Sequence, residues 1–472
     1  MNKLKLLIEN FLVYGLGGII SKIVPLVMVP VVTRLMPSSD YYGLSDLSNT
    51  VVSFASALAI MGMYDAMYRM FFERDDEEYK KSICSTALIF TLFTSLVVFV
   101  VLVIFKEQIA QWFFSDRKYA YIVYISAMAT LVGATNSIIS APTRMQNKRK
   151  IFLITNTLSP LISYGISIPM LLAGYYTIAL PLAAVISGVT MELTFAVLNH
   201  SWFDPRKFDL SLLKQLLVIA IPLLPNFLIY WIFNSCDKVM ITNMIGIGAA
   251  GIYSVGSKLG HASQLIYTAF AGGWQYFAFS TMKEDNQVKS NSMIFEYLGI
   301  ISFATTAFVC ALSYPIFKIL FTEQYLSGYI VAPYLFLAPL LQMLFQVAAN
   351  QFLVVKKTWP NLFILSVGAI ANIAINYLLI PVLGIEGASL ATLMGYAISD
   401  VICVIVLCKM KLMVVEKKFI MITLGMTLFF VLWRLFIPSN TILGLGLALV
   451  FCVYFILLYW NDIKKLVKMI RK

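Results

Sequence analysis

Charged residues are scarce in this 472-residue chain. Asp, Glu, Lys and Arg make up 12% of it, about half the share that a soluble surface carries. Long polar loops are missing as well. No stretch between apolar segments exceeds about 20 residues, which leaves no soluble domain for a nucleotide site or a catalytic centre. There are 2 histidines, His200 and His261, far apart in sequence, so a histidine-based metal site is not expected. The 6 cysteines (Cys84, Cys236, Cys310, Cys403, Cys408 and Cys452) lie in apolar segments without a CxxC pair. That excludes a disulfide framework and a zinc motif. A cleavable leader is not expected either. Glu9 interrupts the opening MNKLKLLIENFLVYGLGGII, the apolar stretch runs on too far, and no small-residue cleavage site follows, so it reads as a retained first helix.

What is present is apolar. Hydrophobic residues make up 60% of the chain, and the mean hydropathy is +0.85. Segments long enough to cross a bilayer fall near 11–35, 43–67, 83–105, 119–140, 151–173, 178–198 and 215–236. More follow at 251–274, 293–314, 330–354, 361–382, 387–408, 419–437 and 442–460, giving 14 candidate spans. The net charge of +12 would suit nucleic acid, but the charges punctuate the spans as topology signals do. No nucleic-acid partner is expected; membrane lipids are. With the N-terminus in the cytoplasm, one side collects most of the 35 Lys and Arg, among them Lys80, Lys81, Lys148, Arg149, Lys150, Lys356 and Lys357. The other side keeps Arg34, Lys106, Arg117, Lys118, Lys238, Lys318 and Arg434. This asymmetry predicts both termini in the cytoplasm and an even number of spans. Lys22 and Lys258 are left within the membrane.

The chain is organised around Gly251–Thr268, GIYSVGSKLGHASQLIYT. At about 100° per residue, Ser254, Ser257, Lys258, His261, Gln264 and Thr268 fall within an arc of roughly 120°. In a span such a stripe must face protein or water. Subtracting 208 from the first five positions gives Asp46, Asn49, Thr50, Ser53 and Ser56, all polar and on the same arc. Gly251 maps to Gly43. The two helices read as equivalent walls of one polar cavity; glue between packed helices explains the hydroxyls but not Lys258. The segment also contains GxxxxGSK, a phosphate-loop motif with its final pair inverted and set in a membrane helix, so it is rejected.

The same offset recurs elsewhere. Tyr121-Ile122-Val123 corresponds to Tyr329-Ile330-Val331, Lys148-Arg149 to Lys356-Lys357, and Glu192 to Asp400. A duplication of six spans places two repeats in the same sense in the membrane, with a site between them. The expected fold is all-α and polytopic, with two pseudo-symmetric six-helix bundles around a central cavity and two extra C-terminal helices. The expected division is 1–205, 206–412 and 413–472.

Two stretches carry a family resemblance: PLVMVPVVTRLMPSSDYYGLSDL (Pro25 to Leu47) and IPLLPNFLIYWIFNSCDKVMITNMIGIGAAGIYSVGSKLG (Ile221 to Gly260). They resemble bacterial polysaccharide flippases, of the superfamily that includes multidrug and toxin extruders and the lipid II flippase. The resemblance implies alternating access and transfer of undecaprenyl-pyrophosphate-linked oligosaccharides from the inner to the outer leaflet of the bacterial cytoplasmic membrane. It further implies partnership with a polysaccharide polymerase and chain-length proteins. No cofactor is expected, only coupling to a proton or sodium gradient. The alternatives are a cation-coupled multidrug extruder or a lipid II flippase. A membrane enzyme such as a polymerase would be expected to carry a large outer loop with catalytic residues.

Candidate residues follow from the chemistry of such a substrate. A glycan head group calls for hydroxyls and amides, here Asn49, Thr50, Ser53, Ser254, Ser257 and Gln264, with His261 as wall or proton site. An anionic pyrophosphate calls for the cations Lys22 and Lys258, with Arg34 and Arg144 as head-group contacts near the two surfaces. Glu192, Asp400, Asp46 and Asp65 are candidates for ion coupling, because a carboxylate in a span carries a desolvation cost. The competing reading for each is a structural pair or a hydrogen bond within the bundle.

Overall fold

The computed structural model describes residues 23–268, 270, 274, 278, 286–357, 359–462 and 464. Among the described residues every regular element is helical. They form two compact units that divide in sequence between Gly251 and Ile252. Among the described residues, eleven helices are long and apolar enough to cross a membrane, or 12 if one bent pair counts as a single span. The first and eighth predicted segments lie partly outside the described residues.

The first unit runs through α1 (Ile23–Leu35), α2 (Ser39–Ile60), α3 (Met63–Phe71), α4 (Glu77–Ile104) and α5 (Lys106–Phe114). It continues through α6 (Ala120–Met145), α7 (Arg149–Leu172), α8 (Ala179–Asn199), α9 (Leu210–Ala220), α10 (Leu224–Trp231) and α11 (Asp237–Met244). The helices start where short polar side chains can satisfy free amides. Ser38 accepts from Asp40 N, Asp76 from Glu78 N, and Asp209 from Ser211 N and Leu212 N. Met63, Met67, Ile83, Cys84, Ile138 and Leu216 are buried together where α3, α4, α6 and α9 pack. The outward faces keep large apolar side chains exposed, such as Val97, Val100 and Ile104, as a lipid-facing surface does.

Two irregularities shape this unit. Between α2 and α3 the axis bends by 47°. Met61 and Gly62 both take left-handed backbone conformations there, with φ of 50° and 76°. A Cβ on Gly62 would lie 2.7 Å from Ala220 O, so glycine answers both the conformation and the close approach of α9. Between α10 and α11 the chain makes a π-helical turn, Ile232–Cys236, of the kind that re-aims side chains within a helix. The span Leu210–Met244 packs on α3 and α4.

One pair of helices starts at the offset found in the sequence. α2 begins at residue 39 and α12 (Ile247–Gly260) at residue 247, 208 positions later. The equivalent glycines touch. A Cβ on Gly43 would lie 2.4 Å from Ile247 O and 3.1 Å from Gly251 N, and one on Gly251 would lie 2.1 Å from Ser39 O. Only glycine lets the first turns of the two helices cross this closely.

In the second unit, α13 (Gln287–Leu320), α14 (Val331–Val354), α15 (Trp359–Leu383) and α16 (Ile385–Lys409) are followed by α17 (Lys417–Phe436) and α18 (Thr441–Leu458). α14 is its core, 83% buried over its most apolar window. Gly256 and Gly260, four apart on α12, let that helix close on the start of α14. Cβ atoms there would lie 2.6 Å from Gly328 O and 2.8 Å from Leu335 Cβ. The last two helices are tied in by two buried acids. Glu386 accepts from Arg434 Nε at 2.5 Å and from the Tyr334 hydroxyl at 3.2 Å. Glu296 accepts from Glu416 N at 2.7 Å and from the Tyr459 hydroxyl at 2.6 Å.

Candidate functional site

The bend at Gly62 decides where polar groups gather in the first unit. It tilts α3 so that Tyr64 and Asp65 face α6 and α7 across a cavity of about 510 Å³. α6 contributes Asn136, Ser137, Ser140 and Arg144, and α7 contributes Phe152 and Asn156. Arg144 donates to the Tyr64 hydroxyl at 3.0 Å, and its guanidinium lies 5.3 Å from the centre of the Phe152 ring. The Ser137 and Ser140 hydroxyls donate to backbone carbonyls on their own helix, which leaves their oxygen lone pairs towards the cavity. Asn136 Oδ1 has no hydrogen-bond partner among the described residues. A second recess of about 330 Å³ shares Ile60 and Phe227 with the first and adds Ser53, Ser56, Asn234 and Ser235. Hydroxyls and amides thus run along one side of α2, α6 and α10 to the π-helical turn.

Beyond that turn lies an ion pair that periodicity does not reveal. Lys238 Nζ is 2.6 Å from Asp46 Oδ2, with side chains 12% and 4% exposed. Asp46 is therefore partnered within its own unit, and Lys238, expected in an outer loop, is a buried cation. Asp237 caps the first turn beside it, accepting from Lys238 N at 2.9 Å. The signal in the sequence is Asp237-Lys238 set between apolar runs, IFNSC before and VMI after.

The remaining candidates separate. Lys22 lies outside the described residues. On α2, Thr50 is buried and donates to Asp46 O at 3.0 Å, while Asn49 and Ser53 are exposed. On α12, Ser254 and Ser257 are buried, and Ser257 donates to Ser254 O at 2.9 Å. Lys258 is exposed, and His261 and Gln264 are half-buried. The predicted 120° stripe therefore has one edge in packed protein and one edge open. Arg34 is exposed near the end of α1. Glu192 on α8 accepts from Thr135 on α6 at 2.5 Å. Asp400 on α16 is buried, and neither carboxyl oxygen has a partner among the described residues. Among the described residues no three His, Cys, Asp or Glu side chains come together as a metal site.

A span bent at Gly62, a π-helical turn before Asp237 and polar cavities among apolar helices make up this scaffold, and the sequence places it in a family. The sequence model of the polysaccharide biosynthesis protein family matches residues 31–329. The chain belongs to that family. For this polysaccharide biosynthesis protein no curated protein matches in sequence. Solved structures match in fold. The lipid II flippase MurJ in an inward closed conformation aligns at a TM-score of 0.72 and 16% identity, over 96% of this chain and 100% of that one. A multidrug resistance MATE family transporter of the MOP superfamily aligns in its inward-facing conformation at 0.59 and 14% identity, over 83% and 98%. In an outward-facing conformation the values are 0.60 and 13%, over 86% and 95%. The polysaccharide biosynthesis protein thus has the fold of the MurJ and MATE transporters.

Proposed function

We propose that the protein is a flippase. It moves undecaprenyl-pyrophosphate-linked oligosaccharide repeat units from the inner to the outer leaflet of the bacterial cytoplasmic membrane, for O-antigen, capsule or exopolysaccharide assembly. The observation that carries this reading is membership of a polysaccharide biosynthesis family on a fold shared with a lipid II flippase. The two repeats, divided at about residues 205 and 412, alternate the access of the polar head while the lipid tail stays in the bilayer. Both termini lie in the cytoplasm. Lys22 and Lys258, with Arg34 near the other surface, attract the pyrophosphate, and Arg144, held by Tyr64, is a head-group contact on the glycan side. Asp400 is the favoured coupling acid, because its carboxyl is buried and meets no donor among the described residues. Asp46 is held by Lys238 and is left out of that role. A polymerase and chain-length proteins receive the product.

Deleting the gene and identifying lipid-linked intermediates by mass spectrometry tests the proposal. Accumulation of an undecaprenyl-pyrophosphate oligosaccharide with loss of surface polysaccharide is expected. Unchanged lipid intermediates with increased sensitivity to cationic drugs would point to an extruder, the second reading favoured by the MATE-like fold.

A further inference from the structure

The cavity of the first unit has a chemical bias of its own. Acceptors are prominent among the groups that line it. Asn136 Oδ1 has no hydrogen-bond partner among the described residues, and the Asp65 carboxylate meets its own backbone N–H and no side-chain donor among them. Ser137 and Ser140 have given their protons to backbone carbonyls, so they too present lone pairs. The one cation among the described lining residues, Arg144, is tethered to Tyr64 and lies over Phe152. A wall of acceptors calls for a ligand rich in donors. A pyrophosphate diester, which offers only acceptors at neutral pH, is the wrong complement here, and a ligand carboxylate would face the like charge of Asp65. Hydroxyl groups on a ring, or an ammonium group, are the right one. Tyr64, Phe152, Phe195 and Phe227 supply apolar faces for the C–H side of such a ring. The volume of about 510 Å³ is within the range of small-molecule sites, about 300–1,000 Å³. It suits one or two sugar rings, not a whole repeat unit.

We propose that this cavity is a sugar subsite that selects a neutral or amino sugar, with Asp65 and Asn136 accepting from its hydroxyl or ammonium groups. The proposal rests on the flippase reading and deepens it. The glycan is sampled within the first repeat, and uronate or sialate residues are excluded from this position. Asp65 is exposed to the cavity, so changing it leaves the packing of α3 in place.

The test uses the full-length protein purified in detergent and saturation-transfer NMR. Three disaccharide probes are compared: diacetylchitobiose, the glucosamine disaccharide, and digalacturonate. Transfer to the first two and not to the third is expected. Asp65→Asn and Asn136→Ala should cut transfer to the glucosamine disaccharide at least fivefold with an unchanged melting temperature, and Asp65→Glu should restore part of it. Equal transfer to digalacturonate, unchanged transfer in both variants, or no transfer to any probe overturns the proposal. In a gene-deletion strain the same variants should fail to clear the accumulated lipid-linked oligosaccharide. If the deletion strain accumulates it and Asp65→Asn clears it as wild type does, the subsite falls and the flippase reading stands. If the deletion strain accumulates none, both fall.

Discussion

Glu192 and Asp400 share the sequence offset of 208, and their surroundings differ. Glu192 takes a hydrogen bond from Thr135 on the neighbouring helix. Asp400 is buried with both oxygens unpartnered among the described residues. The difference extends to the units around them. In the first unit, Asp65 and a row of hydroxyls and amides open onto connected cavities. In the second, the acids Glu296 and Glu386 hold the two C-terminal helices against α13 and α16. The polar groups of the two units do different work, openness in one and tethering in the other. The comparison also shows that an acid in a span has no single meaning: Asp46, Glu192, Glu386 and Asp400 are, in turn, ion-paired, hydrogen-bonded, tethering and unpartnered.

Ranked by expected loss of stability, the first way to break this picture is at Asp46. Its pair with Lys238 is nearly dry. Removing one member of a buried pair leaves an uncompensated charge and costs about 3–5 kcal/mol. Asp46→Ala should therefore lower the melting temperature and membrane abundance strongly, and Asp46→Ala with Lys238→Met should recover most of both. Thermal unfolding of purified variants measures this. A double variant no better than the single one would show that the pair is not what holds α11 to α2.

The second is at Glu386. Arg434 is 41% exposed, so solvent screens its attraction and the full value of a buried pair does not apply. The shared bond to Tyr334 remains. Glu386→Gln should cost about 1.5 kcal/mol, loosening α17 more than α13. Hydrogen exchange read by mass spectrometry would see this as faster exchange confined to the C-terminal pair. Uniform loosening of the whole second unit would refute the tether. A third, smaller effect is expected at Thr135→Ala, about 1 kcal/mol for one hydrogen bond to a carboxylate, checked by the same thermal unfolding.

Much of this architecture is legible in the sequence, because bilayer thickness imposes length and apolarity on each span. The repeat offset of 208 is legible for the same reason: Gly43 and Gly251 must both be small for their helices to cross. What could not be read are the departures from regular helix. The bend at Met61 and Gly62 sits inside an apolar run that looks continuous, yet it places Asp65 opposite Arg144. The π-helical turn at Ile232–Cys236 shifts the register just before Lys238, so a uniform 100° per residue misplaces that side chain. The stripe expected over 251–268 assumes one regular helix, but α12 ends at Gly260 and a 3-10 turn, His261–Ser263, follows; periodicity gives a face and not its neighbours. Ser254 and Ser257 are buried while Lys258 is exposed.

The smallest stability change is expected at Asp400, and it sharpens the comparison most. An amide has nearly the shape of a carboxylic acid, and no partner among the described residues would be lost on changing Asp400 to Asn. The unfolding free energy should stay within about 0.5 kcal/mol of wild type, the range of substitutions that break no identified contact. Transport should respond differently. If Asp400 takes up the coupling proton, an amide cannot, and acceleration of flipping by an imposed gradient in reconstituted vesicles should vanish while a slow basal rate persists. Glu192→Gln keeps an oxygen that can accept from Thr135, so gradient dependence should survive it. The pair of variants separates the readings. A gradient response lost in Asp400→Asn and kept in Glu192→Gln assigns coupling to the unpartnered acid. The reverse pattern would move it to the first repeat, and a full response in both would leave the two acids as structural relics of one duplicated helix.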